Sequence, residues 1–490
     1  MKLAEAITYM GAAAPDIDPA LAQREVSSFV VDSREVKAGD VFFALSQPEY
    51  RNNGFNGDFD DATVFAAGAL ENGAVITVLR PDRFEEHRTE LDRFRPQLAY
   101  SSDVIGSMQA LAREVYSRWG KPVIAITGSA GKTTAKEITA HILEHGGRKV
   151  LRNIKNYNNG IGHPLTVLEI AKNDSYDVAV LEMGMSTPMN EIARLCSITP
   201  PDVAVELNVL PVHLEHLGSI ENIAKAKGEL VEGMKPGGTA VLNSDDPHVL
   251  AMRSLASGDT ITYGLGTAAD VMAENVEFRG FGETFFDLRT PSGSASLRFP
   301  LNGRHNIMNA LAAAGAALSV GMRSAEIAAA LETVPTPAQR GEIVRFAQGF
   351  TVINDSYNSN PTALISMVET VAAGRGKANR LIVVAGEMLE LGETAAASHR
   401  ETGAAIAGKG IDLLIGVRGN ADALVEGARE AGLAAARFVE DSAAAGRVLV
   451  DEVRPGDIVL IKGSRGVRTE KVLETLMEKY EPEAKGAANG

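Results

Sequence analysis

The stretch Ile124-Ala-Ile-Thr-Gly-Ser-Ala-Gly-Lys-Thr-Thr134 decides how the rest of this 490-residue chain is read. Val123 to Ile126 is a short apolar run of the length and β-branched content of a buried strand. It breaks at Gly128 to Gly131, and a helix is expected from Lys132 to near Gly146-Gly147. A strand, a glycine-rich turn, Lys-Thr and a helix N-terminus, in that order, make a cradle for phosphate. The turn directs backbone N–H groups at an anion, and the helix dipole adds partial positive charge. Lys132 is the residue for the β- and γ-phosphates, and the Thr133 hydroxyl is the residue for Mg²⁺. Gly128, Ser129, Ala130, Gly131, Lys132, Thr133 and Thr134 are therefore the expected nucleotide-binding residues. The spacing is shorter than G-x-x-x-x-G-K-[ST]: Ile126 stands where that pattern has its first glycine, and the chain reads T-G-x-x-G-K-T.

Composition is that of an ordinary soluble globular protein, 45% hydrophobic and 23% charged. A length of 490 residues predicts two to four domains. Scarce aromatics and abundant Ala and Gly suit helix-covered parallel sheets. The net charge of −15 argues against nucleic acid or an anionic membrane as partner. Lone Cys196 excludes an intramolecular disulfide and reads as a buried, inert thiol. The first residues lack a basic segment followed by a sustained apolar one, so neither a signal peptide nor a membrane span is expected, and a cytoplasmic location is.

Outward from the loop, strands are expected at Ser28 to Asp32, Asp40 to Leu45 and Gly73 to Leu79, with a helix at Ala62 to Asn72 and an exposed, charge-rich Arg80 to Arg95. Gly120-Lys121-Pro122 marks a boundary. Asp177 to Glu182, Asp202 to Leu207 and Gly238 to Asn243 are further apolar runs ending at polar residues. Alternation of strands with helical patterns argues a parallel sheet, whose ligands gather at the carboxyl ends of the strands. Residues 270 to 300 alternate with period two, as antiparallel strands do. An Ala-rich helix covers Asn306 to Val320, and Val334-Pro-Thr-Pro337 reads as a hinge. Beyond it, strands at Phe350 to Ile353, Arg380 to Ala385, Asp412 to Val417, Ala436 to Val439 and Asp457 to Lys462 alternate with Ala-rich helices. The fold class is α/β with three domains. A central P-loop parallel-sheet ATPase domain (119–334) is flanked by an N-terminal α/β substrate domain (1–118) and a C-terminal Rossmann-like α/β domain (335–480). A polar, disordered tail is expected at 481–490.

Several residues have two readings. Glu182, at a strand end in the sheet of the phosphate loop, can reach nucleotide-bound Mg²⁺ or serve a salt bridge. His213, in Asn208-x₄-His213, can ligate a metal or be structural. Lys225 and Lys227 point to different faces of a helix, and either can be a solvated lysine. Asn306 and Asn309 share a helix face and can read a purine edge, or Asn306 can cap the helix. Asn354-Asp-Ser-Tyr-Asn-Ser-Asn-Pro361 is dense in hydrogen-bonding groups beside a strand end, as a site or a self-capping loop would be.

Taken together, Thr127-Gly-Ser-Ala-Gly-Lys-Thr133, Glu182-Met-Gly, Asn208-x₄-His213-Leu-Glu and Gly218-Ser-x-Glu-x₅-Lys227 resemble the Mur ligase family. Gly303-Arg-His-Asn-x₂-Asn309, Gln339-Arg340 and Asp355-Ser-Tyr-Asn-Ser-Asn-Pro361 extend the resemblance over nearly the whole chain, and Ala385-Gly-Glu-Met-Leu-Glu-Leu-Gly-Glu393 with His399 and Asp32-Ser-Arg-x-Val-x-x-Gly-Asp40 refine it.

These are ATP-dependent amide-bond ligases of peptidoglycan precursor synthesis. The resemblance implies that a substrate carboxylate is phosphorylated by ATP and that an amine attacks the acyl phosphate. It points to UDP-N-acetylmuramoyl-tripeptide and D-alanyl-D-alanine as the partners, and to a monomer. It implies two Mg²⁺ ions, held by Thr133, Glu182, His213 and a carbamate on Lys227. Lys132, Asn208, His213 and Lys227 would be catalytic. Asn309, Arg340 and Asp355 would contact ATP, and Ser33, Arg34, Tyr357, Asn358 and Asn360 the other substrates. The chain departs from the family pattern at Ser46 to Phe55 and at Met189-Asn190-Glu191-Ile192. A related ligase that forms the tripeptide or extends folylpolyglutamate, and a non-catalytic nucleotide-binding homologue, are the competing readings.

Overall fold

A computed structural model of the chain describes residues 1–483 apart from 56–58, 155–156, 186–189, 212–217, 267, 336–338 and 376–379. The chain forms two compact units. The first comprises Met1–Met272, Thr290–Ser292 and Asn309–Ile327, and the second Ala273–Arg289, Gly293–Met308 and Ala328–Gly490.

The first unit contains two parallel sheets. A small one has strands β1 (Phe29–Val30), β2 (Val41–Phe43), β3 (Ile76–Leu79) and β4 (Leu98–Tyr100), in that order. The first three are shorter than the apolar runs that predict them, and β4 is a strand that the sequence reading does not contain. Asp32 ends β1 early because its carboxylate accepts the Arg34 N–H at 2.9 Å and starts a 3₁₀ turn, Ser33–Glu35. Such local bonds from Asp compete with the strand ladder. Arg80 to Arg95, expected to be exposed, folds into short helices that bury Phe84 and Leu91.

The larger sheet runs β10-β9-β8-β5-β7-β6, from β5 (Val123–Thr127), β6 (Val150–Arg152), β7 (Val178–Glu182), β8 (Val203–Glu206), β9 (Thr239–Asn243) and β10 (Asp259–Gly264), all parallel. Strands β5, β7 and β8 are buried along their whole length. That is why they read as unbroken apolar runs rather than alternating ones. Helix Val104–Trp119, ended by Gly120 in the left-handed conformation, joins one core with residues of both sheets, among them Val41, Val78, Val123 and Leu181. Cys196 is buried, and burial pushes its thiol up to about 12. Among the described residues, no helix is long and apolar enough to cross a membrane.

In the second unit, β11 (Val271–Gly280, largely in this unit), β12 (Glu283–Thr290) and β13 (Gly293–Phe299) follow one another in space as in sequence. Burial alternates along β12, as the period-two pattern predicts. The remaining strands are β14 (Glu342–Arg345), β15 (Thr351–Asp355), β16 (Leu381–Gly386), β17 (Leu413–Val417), β18 (Ala436–Val439) and β19 (Ile458–Lys462). They form a sheet of order β14-β15-β19-β16-β17-β18. All are parallel except β14, an antiparallel edge strand that the sequence reading does not contain. Glu481 to Glu483, assigned above to a loose tail, are tied to it. The Glu481 carbonyl accepts the Ala347 N–H at 3.1 Å, and the Glu483 N–H donates to the Arg345 carbonyl at 2.8 Å. An exposed edge satisfies its backbone groups in this way. The hinge expected at Val334 to Pro337 and the rest of the tail fall partly or wholly outside the described residues.

Departing segment Ser46 to Phe55 forms helix Gln47–Asn52. Buried Glu49 accepts the N–H groups of Ser46 (2.8 Å) and Val104 (2.6 Å). Burial drives its carboxyl from 4.5 up to about 7, although these bonds pull it back. The folded state thus binds this proton more tightly than the unfolded chain. The associated stability is complete below pH 4.5 and is lost as pH rises through about 7. Substituting Glu49→Gln is expected to remove about 3 kcal/mol of pH dependence across that window. Denaturant melts of both proteins between pH 4 and 8 measure it, and parallel curves would refute the assignment.

Candidate active site

Strand β5 lies between β7 and β8, where the order of the sheet reverses, and such a switch point opens a crevice at the carboxyl ends. The register pairs Ile126 with Glu182 on one side and Thr127 with Glu206 on the other. Successive strand residues face opposite sides, so Glu182 and Glu206 leave the sheet in opposite directions.

Glu182 faces helix Lys132–His145, where its Oε2 accepts the Thr133 hydroxyl at 2.8 Å and its Oε1 accepts Asn158 Nδ2 at 2.7 Å. The Asn153 side chain accepts the Glu182 N–H at 2.6 Å. Thr133 and Glu182 are thus brought together, as expected for one oxygen-ligated cation. Among the described residues there is no group of three or more His, Cys, Asp or Glu suited to a metal. Mg²⁺ does not need one, because it is commonly held by one or two carboxylates and substrate phosphates.

The loop itself depends on two glycines. Gly128 has φ 155°, and a Cβ there would lie 2.7 Å from Leu207 Cβ. Gly131 has φ 87°, and a Cβ there would lie 2.5 Å from Asn309 Oδ1. Asn309 therefore sits against the phosphate loop. Asn306 donates to the Asn302 carbonyl at 2.7 Å, a bond local to the start of its helix.

Asn208 makes three hydrogen bonds to the loop. Its carbonyl accepts the Ser129 N–H (2.9 Å), its Oδ1 accepts the Ala130 N–H (2.8 Å), and its Nδ2 donates to the Ala130 carbonyl (3.0 Å). The Ser129 and Ala130 N–H groups, expected above to point at an anion, are therefore bonded to Asn208. The first N–H groups of the helix opening at Lys132 have no intrahelical acceptor. Asn208, assigned above to catalysis, holds the shape of the loop. Lys132 Nζ donates to the Gly128 carbonyl at 2.8 Å and folds back over the same turn.

Lys227, on helix Ile220–Glu232, is 3% exposed, whereas Lys225 is exposed. Burial and then the charge of Lys132 lower Lys227, and that of Glu206 pulls it back, to about 7 in all. Glu206 is fully buried, and burial holds its carboxyl well above the usual range against the pull of Lys227 and Lys132. Sequence reasoning missed Glu206. Its signal was a charge inside the apolar run Val203 to Leu207. His213 lies outside the described residues.

Ser33 and Arg34 lie in the 3₁₀ turn beside β1, with Arg34 Nη2 2.6 Å from Asp32 Oδ2. The Arg34 guanidinium holds Asp32 at about 2.

In the second unit, loops meet at the carboxyl ends of β15, β16, β17 and β19. Arg340 stacks on Tyr357, 3.8 Å from the ring centre. Asp355 pairs with Lys462 at 2.6 Å, and Lys462 also donates to the Asn358 carbonyl at 2.8 Å. Lys462, a second residue missed from the sequence, thus organises the Asp355 segment. Asn360 Oδ1 accepts the Ala363 N–H at 2.8 Å, which commits it to capping helix Pro361–Gly374. His399 Nε2 accepts the Met388 N–H at 2.9 Å while its Nδ1 faces the Ala395 carbonyl at 2.7 Å, a pairing that requires the Nδ1-protonated ring.

A shortened phosphate loop at the switch point of a parallel sheet, with Thr133 against a strand-end carboxylate, defines a nucleotide-dependent phosphoryl-transfer enzyme. Residues 126–317 match the Mur ligase middle domain, and residues 339–465 match the Mur ligase, glutamate ligase domain. The chain is 34% identical over 459 residues to the UDP-N-acetylmuramoyl-tripeptide–D-alanyl-D-alanine ligase of Escherichia coli (strain K12), covering 92% of this chain and 94% of that one. It is similar to MurF from Acinetobacter baumannii (TM-score 0.83, 28% identity, 98% and 99% of the two chains). It is also similar to the MurF ligase from Thermotoga maritima in complex with ADP (TM-score 0.77, 27% identity, 94% and 99%). The chain belongs to the Mur ligase family and is an ATP-dependent ligase.

Replacing Asn208 by Ala is expected to weaken ADP binding on the order of tenfold, from a net loss of ~1 kcal/mol in loop hydrogen bonds. Calorimetry measures the affinity, and hydrogen exchange should quicken at the Ala130 amide, whose acceptor is the Asn208 side chain, and not at Ser129, whose acceptor is the backbone carbonyl of residue 208. Unchanged affinity and exchange would show that the loop keeps its shape without Asn208.

Proposed function

We propose that the protein joins D-alanyl-D-alanine to UDP-N-acetylmuramoyl-tripeptide with hydrolysis of ATP to ADP and phosphate, in peptidoglycan precursor synthesis. The observation that carries the reading is the convergence of Lys132, Thr133 and Glu182 on one phosphate loop, in a chain 34% identical to a ligase of that name. A carboxylate is a poor electrophile. Transfer of the γ-phosphoryl group to its oxygen supplies a leaving group. The dipeptide amine then attacks the carbonyl carbon, the amine loses a proton, and inorganic phosphate departs with the C–O bond.

The first step brings anions together, so neutralising charge is the main task of the site. The Lys132 ammonium serves it at the β- and γ-phosphates. Mg²⁺ would supply the remaining positive charge; we assign Thr133 and Glu182 to one ion, and His213 with a carbamate on Lys227 to a second. Arg340 is assigned to the γ-phosphate, Asp355 to the ribose and Asn309 to the adenine. Tyr357 and Asn358 are assigned to the nucleotide and dipeptide side, and Ser33 and Arg34 to the uridine nucleotide. Domain borders after residues 118 and 334, a monomeric state and a cytoplasmic location belong to the same reading.

Phosphate release is the test, with ATP, Mg²⁺ and UDP-N-acetylmuramoyl-tripeptide, with and without D-alanyl-D-alanine. Release that depends on the dipeptide is expected, and Lys132→Ala should lower kcat on the order of 100-fold or more. Release without the dipeptide, or only with a diamino acid, would overturn the reading.

A further inference from the structure

Arg340 lies between two residues of left-handed backbone, Gln339 with φ 61° and Gly341 with φ 75°. A glycine takes that conformation at no steric cost, whereas a residue with a Cβ keeps it only where its surroundings fix it. Three hydrogen bonds fix Gln339. Its N–H donates to Glu342 Oε2 at 3.4 Å, its carbonyl accepts the Tyr357 N–H at 3.1 Å, and its side-chain Oε1 accepts Arg465 Nη1 at 3.2 Å. The first two use the backbone, and a glycine would make them as well. Only the bond to Arg465 needs the glutamine side chain.

The Arg340 guanidinium lies over the Tyr357 ring and, among the described residues, makes no hydrogen bond and no ion pair. The ring covers one face, and the five N–H donors of the guanidinium stay uncommitted at its edge. An arginine stacked in this way has given up rotamer freedom before an anion arrives, and loses less on binding one. Gln339 is tied to both members of the stack, since it precedes Arg340 in the chain and holds the Tyr357 backbone. Arg465 fastens Gln339 in turn, and Glu470 Oε1 accepts the same Arg465 Nη1 at 2.7 Å. The segment before β14 is thereby bonded to the loops after β15 and β19 at a single residue.

We propose that Gln339 is a positioning residue whose side-chain bond to Arg465 presets the Arg340 guanidinium on Tyr357 for the terminal phosphoryl group of a nucleoside triphosphate, and so sets how strongly the triphosphate is preferred to the diphosphate. This rests on the assignment of Arg340 to the γ-phosphate above. A diphosphate lacks the group that Arg340 takes, so its affinity is indifferent to Gln339.

The test is calorimetry of the full-length protein with Mg²⁺ and either ADP or a non-hydrolysable ATP analogue. Gln339→Met keeps the length of the side chain and loses its oxygen. Gln339→Gly loses the side chain and relieves the backbone. Each should lower the preference for the triphosphate on the order of fivefold, the usual worth of one hydrogen bond, and leave the affinity for ADP unaltered. A purely structural role would shift the melting temperature and leave that ratio alone. Arg465→Met should lower the preference by a similar factor and add nothing in Gln339→Met, because both substitutions remove the same bond. A preference retained in Gln339→Met, or losses that multiply in the double variant, overturns the inference and leaves the assignment of Arg340 standing. A preference retained in Arg340→Met overturns that assignment as well. Should Gln339→Met fail to fold, judged by circular dichroism, Gln339→Gly decides alone.

Discussion

The nucleotide end of this protein depends on β5 lying between β7 and β8 in one register. That register sets Glu182 beside Ile126 and Glu206 beside Thr127, two carboxylates a single strand away on either side. The pleat then sends one to each face of the sheet. A slip of one residue in either pairing would turn a carboxylate to the wrong face. Side-chain bonds help to hold it: Asp202 Oδ2 accepts the Val123 N–H at 2.8 Å and Asn153 Oδ1 accepts the Glu182 N–H at 2.6 Å.

Within that frame, the phosphate loop is a shape held from outside. Asn208 takes the N–H groups of Ser129 and Ala130, and the glycines at 128 and 131 accept close approaches by Leu207 and Asn309. Burial disfavours charge on both Lys227 and Glu206, while each charge favours the other. In the second unit a comparable economy uses Lys462, which ties Asp355 and the Asn358 carbonyl together at the carboxyl end of β19.

Much of the fold was legible in the sequence because its central strands are buried on both faces. Val123 to Thr127, Val178 to Glu182 and Ile458 to Lys462 read as unbroken apolar runs, and they are strands. Strand β14 was not legible, since only Val344 is buried in it and its other residues look like a loop. The end of β1 was misjudged because Asp32 prefers to cap a turn. In the site, the pairing of Thr133 with Glu182 followed from order along the chain, and Lys227 was separated from Lys225 by family pattern. Glu206, Lys462 and the clamp by Asn208 went unseen. Each acts on residues distant in sequence, so neither periodicity nor local spacing carries a trace of the contact.

The amino-acid sequence by itself determined which segments become strands and helices and which loop can hold a phosphate, since burial patterns, glycine positions and helix-starting residues are local properties. Tertiary structure decided how the loop N–H groups are bonded, which lysine is stripped of water, and which carboxylate is buried as well. Those outcomes depend on desolvation and on charges brought close across strands, and both arise only when the sheet and its covering helices are assembled.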